Sequence, residues 1–454
     1  MPVRFDPPSG TRDFLAVELE AREAAFGTIR EVFGRYAFEP LQTPSFERLD
    51  VLMGKYGDES DKLIFKILRR GEHEASGEAD LALRYDMTVP LARVVAAYGS
   101  QLPTPYKRYT IGPVWRADRP GKDRYREFTQ CDIDTVGSSS LLADAEVACA
   151  VCETVAALGV PSFTMQVNSR LALSGLLRAF GVPVEIGGDV LISLDKLDKL
   201  SPAEVVAELE GRGLARDKAE SLVDALTAPD ATEQVRAALK SNDEGGAGLE
   251  EIDTVISLVR SQVPADRIAF MPRMVRGLSY YTGTIWEVTA AGVSGSLAGG
   301  GRYDHLIESL GGPDVPATGG SLGVERILAL RSGEGAASWR RLDVAVTVMG
   351  DELAAASFGL AAVARAAGAR ASVYLGSSGK LGRQLKWASD AGARFCLIYG
   401  KTEQAEGRVT IRDMATGEQI EVPSAELGAQ LSRLLAERQG GADGPAPGRP
   451  PPAR

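Results

Sequence analysis

The feature that most limits how this chain can fold is a break in its hydrophobic periodicity. Short strand-like alternations near 81–85, 106–110, 128–134 and 163–167 give way, from about 171 to 262, to a charged helical pattern (191–200, 202–209, 249–263). Strand signals then return at 284–289. The long stretch therefore reads as a helical insertion, and the hairpin-style spacing of the runs before it favours an antiparallel sheet. Ahead of these runs, Phe14, Leu15, Leu19, Phe26, Ile29, Val32 and Phe33 fall at helical spacing over 13–34, with Thr11 or Asp13 as a cap. Residues 40–44 read as a further short strand.

The last quarter has a different rhythm. Runs at 342–349, 370–375 and 394–399 alternate with helical stretches at 353–367 and 380–390, the pattern of parallel βαβ units. Residues 409–412 and 419–422 flank Thr416-Gly417 as a hairpin before a closing helix near 425–437. Residues 331–340, without periodicity, mark a domain boundary. The Gly/Pro-rich end, 438–454, has little to bury and is expected to be disordered.

Composition narrows the class. At roughly 150 residues per domain, 454 residues suggest a few folding units, and 44% apolar with 25% charged residues suits an ordinary soluble chain. The net charge of −10 means that a nucleic acid would have to be met by a local basic surface. No apolar run is long enough to span a membrane and the start lacks a signal-peptide pattern, so a cytoplasmic location is expected. Four cysteines agree with a reducing compartment. Cys149 and Cys152 form a lone C-x-x-C in a helical pattern, without the further ligands that zinc requires, and read as core packing.

Several sites are missing from the sequence. There is no G-x-x-x-x-G-K-[ST] loop, no G-x-G-x-x-G after a strand and no H-E-x-x-H, and two histidines give little support to a Ser-His-Asp triad. What stands out is a loop dense in cations between two strand signals, holding Arg116, Arg119, Lys122, Arg124 and Arg126. Guanidinium groups at a strand end suit phosphate oxygens, because a planar fork can make two charge-assisted bonds. Alone, such a loop is usually a solvated turn.

Segments spread over the chain carry a resemblance. The stretch from Pro8-Ser9-Gly10-Thr11-Arg12-Asp13 to about Leu435 resembles the histidyl-tRNA synthetases, class II aminoacyl-tRNA synthetases. The segment around Pro44 is similar to motif 1, 109–134 to motif 2, and 319–330, with Gly323-Val324-Glu325-Arg326, to motif 3. Two more resemble signatures of the histidine enzymes: Arg276-Gly277-Leu278-Ser279-Tyr280-Tyr281-Thr282-Gly283 and Gly299-Gly300-Gly301-Arg302-Tyr303-Asp304. Leu194-Asp195-Lys196-Leu197-Asp198-Lys199 is similar to a stretch of the eukaryotic-type members.

The resemblance implies an α+β catalytic domain on an antiparallel sheet of six or seven strands, the class II synthetase fold, with a helical insertion and a C-terminal α/β anticodon-binding domain. In residues, it implies catalytic parts at 1–170 and 263–333, the insertion at 171–262 and the anticodon-binding domain at 341–437. The implied activity joins histidine to the 3′ end of tRNA(His) through histidyl-adenylate, with ATP and Mg2+, in a homodimer. By motif position Arg116 and Arg276 are the catalytic cations, and Arg116, Asp118, Arg124 and Arg326 bind ATP. Asp86, Thr88, Gln130, Asp134, Tyr280 and Tyr281 take histidine, and Gly299, Gly300, Gly301, Arg302, Tyr303 and Gly320 form a glycine-rich pocket.

The chemistry is consistent with those assignments. The α-carboxylate of histidine is ionised at neutral pH and needs no general base, whereas its approach to a phosphate needs cations. A pocket that hydrogen-bonds an imidazole can reject analogues roughly 10⁴- to 10⁵-fold, so no editing activity is expected, and the insertion is expected to touch tRNA. One departure is Ser279, where the family usually has aspartate. A histidine-sensing regulatory paralogue would lack the catalytic cations and the last domain, the 276–283 signature argues against a prolyl or threonyl enzyme, and phosphate-binding residues spread along the chain argue against a bare RNA-binding module.

Overall fold

The computed structural model describes residues 5–56, 61–71, 76–121, 124–276, 280–293, 295–331 and 342–437, in two compact units, residues 1–334 and 335–454. The expected boundary from residue 332 on, the tail 438–454 and the signature residues Gly277, Leu278 and Ser279 lie outside the described residues.

The first unit is built on an eight-stranded sheet. Its centre is antiparallel: Tyr106–Trp115 and Glu127–Val136 pair over ten residues, followed in space by Ala317–Gly323, Ala298–Arg302, Thr284–Thr289 and Thr164–Ser169. The edges differ from the expected all-antiparallel arrangement. Glu39–Pro40 pairs parallel with Tyr106–Trp115, and Ile268–Phe270 pairs parallel with Thr164–Ser169. A parallel neighbour requires a long crossover, and the intervening residues 41–105 and 170–267 supply one at each edge.

Two of the expected strands are also placed differently. The run at 40–44 stops after Pro40, with Leu41 N donating to Tyr109 O as a last rung; beyond it the Thr43 and Pro44 carbonyls accept from Arg84 Nη1 instead of from a neighbouring strand. The run at 81–85 is the strand Ala79–Leu83, which joins Phe46–Arg48 and Lys66–Leu68 in a separate three-stranded sheet.

One face of the main sheet is covered by helices. In Ala16–Arg35 the buried Arg22, Ala25, Phe26, Ile29, Val32 and Phe33 form one stripe. Each fully buried large apolar side chain contributes roughly 1.5–3 kcal/mol. Leu141–Ala157 begins at Ser140, whose hydroxyl accepts from Leu142 N. Cys149 and Cys152 lie within this helix, and burial pushes their thiols up to about 11 and about 12. Helices between Arg170–Ala179 and Asp243–Val259 share a single hydrophobic core with the sheet.

The second unit has a five-stranded sheet in which Ala371–Val373, Val344–Val346 and Phe395–Ile398 are parallel, joined through Ala354–Ala366 and Leu381–Asp390. The hairpin Arg408–Asp413 with Gln419–Pro423 and the closing helix Leu427–Glu437 occur where the sequence suggested. Gly417 supplies the left-handed turn residue, φ +80°. Among the described residues, no helix is long and apolar enough to cross a membrane.

Candidate active site

A cavity of about 690 Å³ opens on the sheet face turned away from Leu141–Ala157. Side chains alternate along a strand, so Gln130, Asp132 and Asp134 of Glu127–Val136 all reach it. Across the ladder, Asp134 stands opposite Arg108 and Gly319, Asp132 opposite Thr110 and Ser321, and Gln130 opposite Gly112 and Gly323.

The acidic wall is short of cations. Asp134 pairs with Arg108 at 2.7 Å, their side chains 2% and 0% exposed, and accepts a hydrogen bond from the Tyr303 hydroxyl. Asp86 Oδ1 accepts from Val89 N at the start of the helix Thr88–Tyr98 and from the Tyr56 hydroxyl, at 3.1 and 3.0 Å. Its Oδ2 is buried without a hydrogen-bond partner, as is Asp132 Oδ1. Burial raises the pKa of all three carboxyls; Asp132 is pushed up to about 7, with Arg108 opposing the shift and Asp134 adding to it. Three buried carboxyls whose pKa values stay raised despite Arg108 suit a cationic ligand group.

The cationic wall comes from separate elements. The Arg116 guanidinium lies 4.3 Å from the Tyr85 ring centroid and 5.1 Å from that of Phe128, and donates to Tyr85 O. Two aromatic faces hold it in place while its remaining N–H groups can serve a ligand. Arg276 pairs with Glu287 at 3.2 Å and lies across Gly299, where a β-carbon would be 2.4 Å from its Nη1. Arg326 Nη1 donates to Ser296 O at 2.7 Å. Arg124 pairs with Asp118 at 2.7 Å in the loop. All four arginines line the cavity.

Ladder register orders these groups. Gly299 is opposite Ser321, which is opposite Asp132, so Arg276 lies over the Asp132 row. Phe128, the partner of Arg116, is six residues from Asp134 along one strand, about 20 Å at 3.3–3.4 Å per residue. Arg326 follows Gly323, the partner of Gln130. Along Glu127–Val136 the Asp134–Arg108 pair thus comes first, Arg276 lies level with Asp132, and Arg116 and Arg326 lie toward the Phe128 end, with Arg116 against Tyr85 next to Asp86.

The sequence matches the histidyl-tRNA synthetase family over residues 10–327 and an anticodon binding domain over 343–434. This chain belongs to the histidyl-tRNA synthetase family. It is 40% identical to a histidine–tRNA ligase of Gloeobacter violaceus, over 94% of this chain and 98% of that one. A histidine–tRNA ligase of Ruegeria pomeroyi is 37% identical, with 96% and 98% covered. Among solved structures, the histidyl-tRNA synthetase from Nostoc sp. PCC 7120 superposes with a TM-score of 0.76 at 31% identity, covering 96% and 100%. A protein from Bacillus halodurans described as an ATP phosphoribosyltransferase regulatory subunit/histidyl-tRNA synthetase shares the fold, with a TM-score of 0.72 at 20% identity and coverage of 88% and 99%.

Most of the positions that the family resemblance singled out meet in this cavity: Asp86, Thr88, Arg116, Asp118, Arg124, Gln130, Asp134, Arg276, Tyr280, Tyr281, Gly299, Tyr303, Gly320 and Arg326. Tyr280 packs against Tyr281 and Tyr303, with ring centroids 4.8 and 5.8 Å away. Gly300, Gly301 and Arg302 are not on the cavity wall. The alternation of Ala298–Arg302 turns Gly300 and Arg302 to the opposite face, where Arg302 pairs with Asp144 and donates to the carbonyls of Ser138 and Ser140. Gly300 and its ladder partner Gly320 admit the Trp286 indole; a β-carbon on either would lie within 2.4 Å of that ring. Asp132, Arg108, Tyr85, Phe128 and Glu287 take part in the site without having been singled out. Strand alternation from Gln130 and Asp134 pointed to Asp132, but the others depend on register and tertiary packing.

Proposed function

We propose that this histidine–tRNA ligase activates histidine in the cavity and divides the work among its walls as follows. The α-ammonium group binds among Asp86, Thr88 and Gln130, and the imidazole lies against Asp134 and Tyr281. The α-carboxylate then points along the sheet to Arg276. Its oxygen attacks the α-phosphorus of ATP, the bond to the outgoing diphosphate breaks, and histidyl-adenylate forms. Arg276 and Arg116 offset the charge gathered where two anions meet, and Arg326 holds the nucleotide. In the second step a hydroxyl of the tRNA terminal ribose attacks the acyl carbon and AMP leaves. Preorganised cations of this kind are worth about 2.7–4 kcal/mol each when removed from comparable sites.

The observation that carries this reading is one cavity that holds the unpaired carboxylate oxygens of Asp86 and Asp132 together with Arg276 across Gly299 and Arg116 clamped between two rings. Histidine-dependent exchange of diphosphate into ATP tests it. Exchange driven by another amino acid, or none at all, would refute it.

ATP is taken as its magnesium complex. The donor chemistry fits at Glu325, whose Oε1 accepts from Thr129 N and pairs with Arg22 while its buried Oε2 has no hydrogen-bond partner. Glu325 would hold the ion, which screens phosphate charge when bound. The 119–126 loop reads the tRNA acceptor end, the helical stretch 171–262 contacts tRNA, and residues 341–437 bind the anticodon. We also propose a cytoplasmic homodimer. The half-exposed Phe46 and Leu68 on the three-stranded sheet supply apolar surface for the contact; sedimentation as a monomer at micromolar concentration would count against it.

A further inference from the structure

The sequence repeats a lysine in Leu194-Asp195-Lys196-Leu197-Asp198-Lys199, and the structure gives the two lysines different surroundings. Lys196 is tied down. Its Nζ bonds Glu208 Oε1 at 2.6 Å, and Glu208 also takes the Ser193 hydroxyl and Arg212. Arg212 in turn reaches Asp189 at 2.8 Å. This network joins Gly187–Leu194 to Pro202–Gly211, while Leu197 and Leu200 pack on the main core. The turn is therefore fixed on both sides, and Lys199 N closes it by donating to Lys196 O at 2.8 Å.

Lys199 follows from that anchored turn, is exposed, and lines the cavity that also contains Arg116, Arg124, Arg276 and Arg326. Among the described residues its ammonium group has no ion-pair or hydrogen-bond partner. The four arginines have protein partners for part of their N–H groups, whereas Lys199 has none among the described residues for its three donors. A lone ammonium on a flexible stem is a point-charge phosphate ligand, able to follow an oxygen that moves during reaction. Among the described residues it is also the one that lines the cavity from the helical stretch between Thr164–Ser169 and Ile268–Phe270.

We propose that Lys199 is a substrate-binding residue that takes a phosphate group in the active-site cavity, so that the helical insertion contributes directly to the site. This rests on the ligase reading above. The phosphate belongs either to ATP or to the 3′ end of tRNA, and the two are separable because diphosphate exchange needs no tRNA.

The experiment compares wild type, Lys199→Met and Lys199→Arg in exchange, with ATP and histidine varied separately. Single-turnover transfer from preformed adenylate to tRNA is then measured with tRNA varied. Loss of one charge-assisted contact should raise the KM for ATP roughly ten- to hundred-fold in Lys199→Met. The KM for histidine should stay unchanged, and Lys199→Arg should recover most of the loss. The same rise confined to tRNA in the transfer step would assign the phosphate to RNA. No change in either arm overturns the proposal, as does an equal rise in the KM for histidine, which would mean general distortion. Wild-type protein inactive in exchange would instead overturn the ligase reading. Lys196→Met is the comparator: it should lower the melting temperature without selectively raising the KM for ATP.

Discussion

The Asp134 carboxylate occupies the space in which Gly319 would carry a side chain: a β-carbon there would lie 1.9 Å from Asp134 Oδ1 and 2.8 Å from Ile133 O. Because a backbone atom stands beside the carboxylate, the conflict cannot be relieved by the acid moving alone. Gly319→Ala should push Asp134 off Arg108 and Tyr303 and raise the KM for histidine by on the order of 10²-fold, the loss that follows from about 1 Å of misplacement. Histidine-dependent exchange measures it, and a KM within about two-fold of wild type would contradict the arrangement.

Arg276 and Asp134 should separate kinetically. On the proposed division of labour Arg276 meets the reacting phosphate, so Arg276→Ala should lower kcat for adenylate formation by about 10²–10³ while leaving histidine binding nearly intact. Asp134→Asn keeps the shape but removes the charge, and should act mainly on the KM for histidine. Single-turnover adenylate formation with histidine titrated distinguishes them; identical profiles would show that both residues act through a common distortion.

Asp132 should make histidine binding depend on pH. Its carboxyl is pushed up to about 7, first by burial. Below the ordinary carboxylate range it is protonated in folded and unfolded chains alike. Between that range and about 7 the unfolded chain has released the proton and the folded chain retains it, so stability falls as pH rises through this window, and the penalty is complete above it. Ligand binding has the opposite sign. The ionised carboxylate attracts an ammonium group, so the KM for histidine should fall as pH rises from 6 to 8, values that bracket about 7. The imidazole of free histidine also titrates there, but it does so equally for Asp132→Asn. The difference between the two profiles isolates Asp132, and parallel profiles would exclude it.

The limits of the sequence reading have a physical cause. The hairpin Tyr106–Trp115 with Glu127–Val136 and the C-terminal βαβ pattern were visible because local periodicity encodes them. Arg116, Arg276 and Arg326 could be named because each sits in a motif-like segment. What the residues could not display was which way a strand faces. Arg302 is contiguous with the glycines, yet one step of alternation separates its face from that of Tyr303. Nor could they display register, which brings Arg108 to Asp134 and Trp286 beneath Gly300 and Gly320. The clamp on Arg116 needs Tyr85 and Phe128, which are far apart in the chain and adjacent only once folded.

Arg302 gives the sharpest test of that difference. Its guanidinium binds Asp144 and Asp304 and caps two carbonyls ahead of Leu141–Ala157, while Asp144 also accepts from the Thr318 hydroxyl. The pair is buried, and removing one partner leaves the other uncompensated, at a cost of about 3–5 kcal/mol. Arg302→Met should therefore lower unfolding free energy by that amount, with the KM for ATP and for histidine unchanged in the protein that remains folded at low temperature. Asp144→Asn, which keeps the shape and the hydrogen bond to Thr318, should cost less. Urea unfolding and exchange kinetics on the same preparations decide the matter. A selective rise in the KM for ATP with stability intact would return Arg302 to the cavity wall.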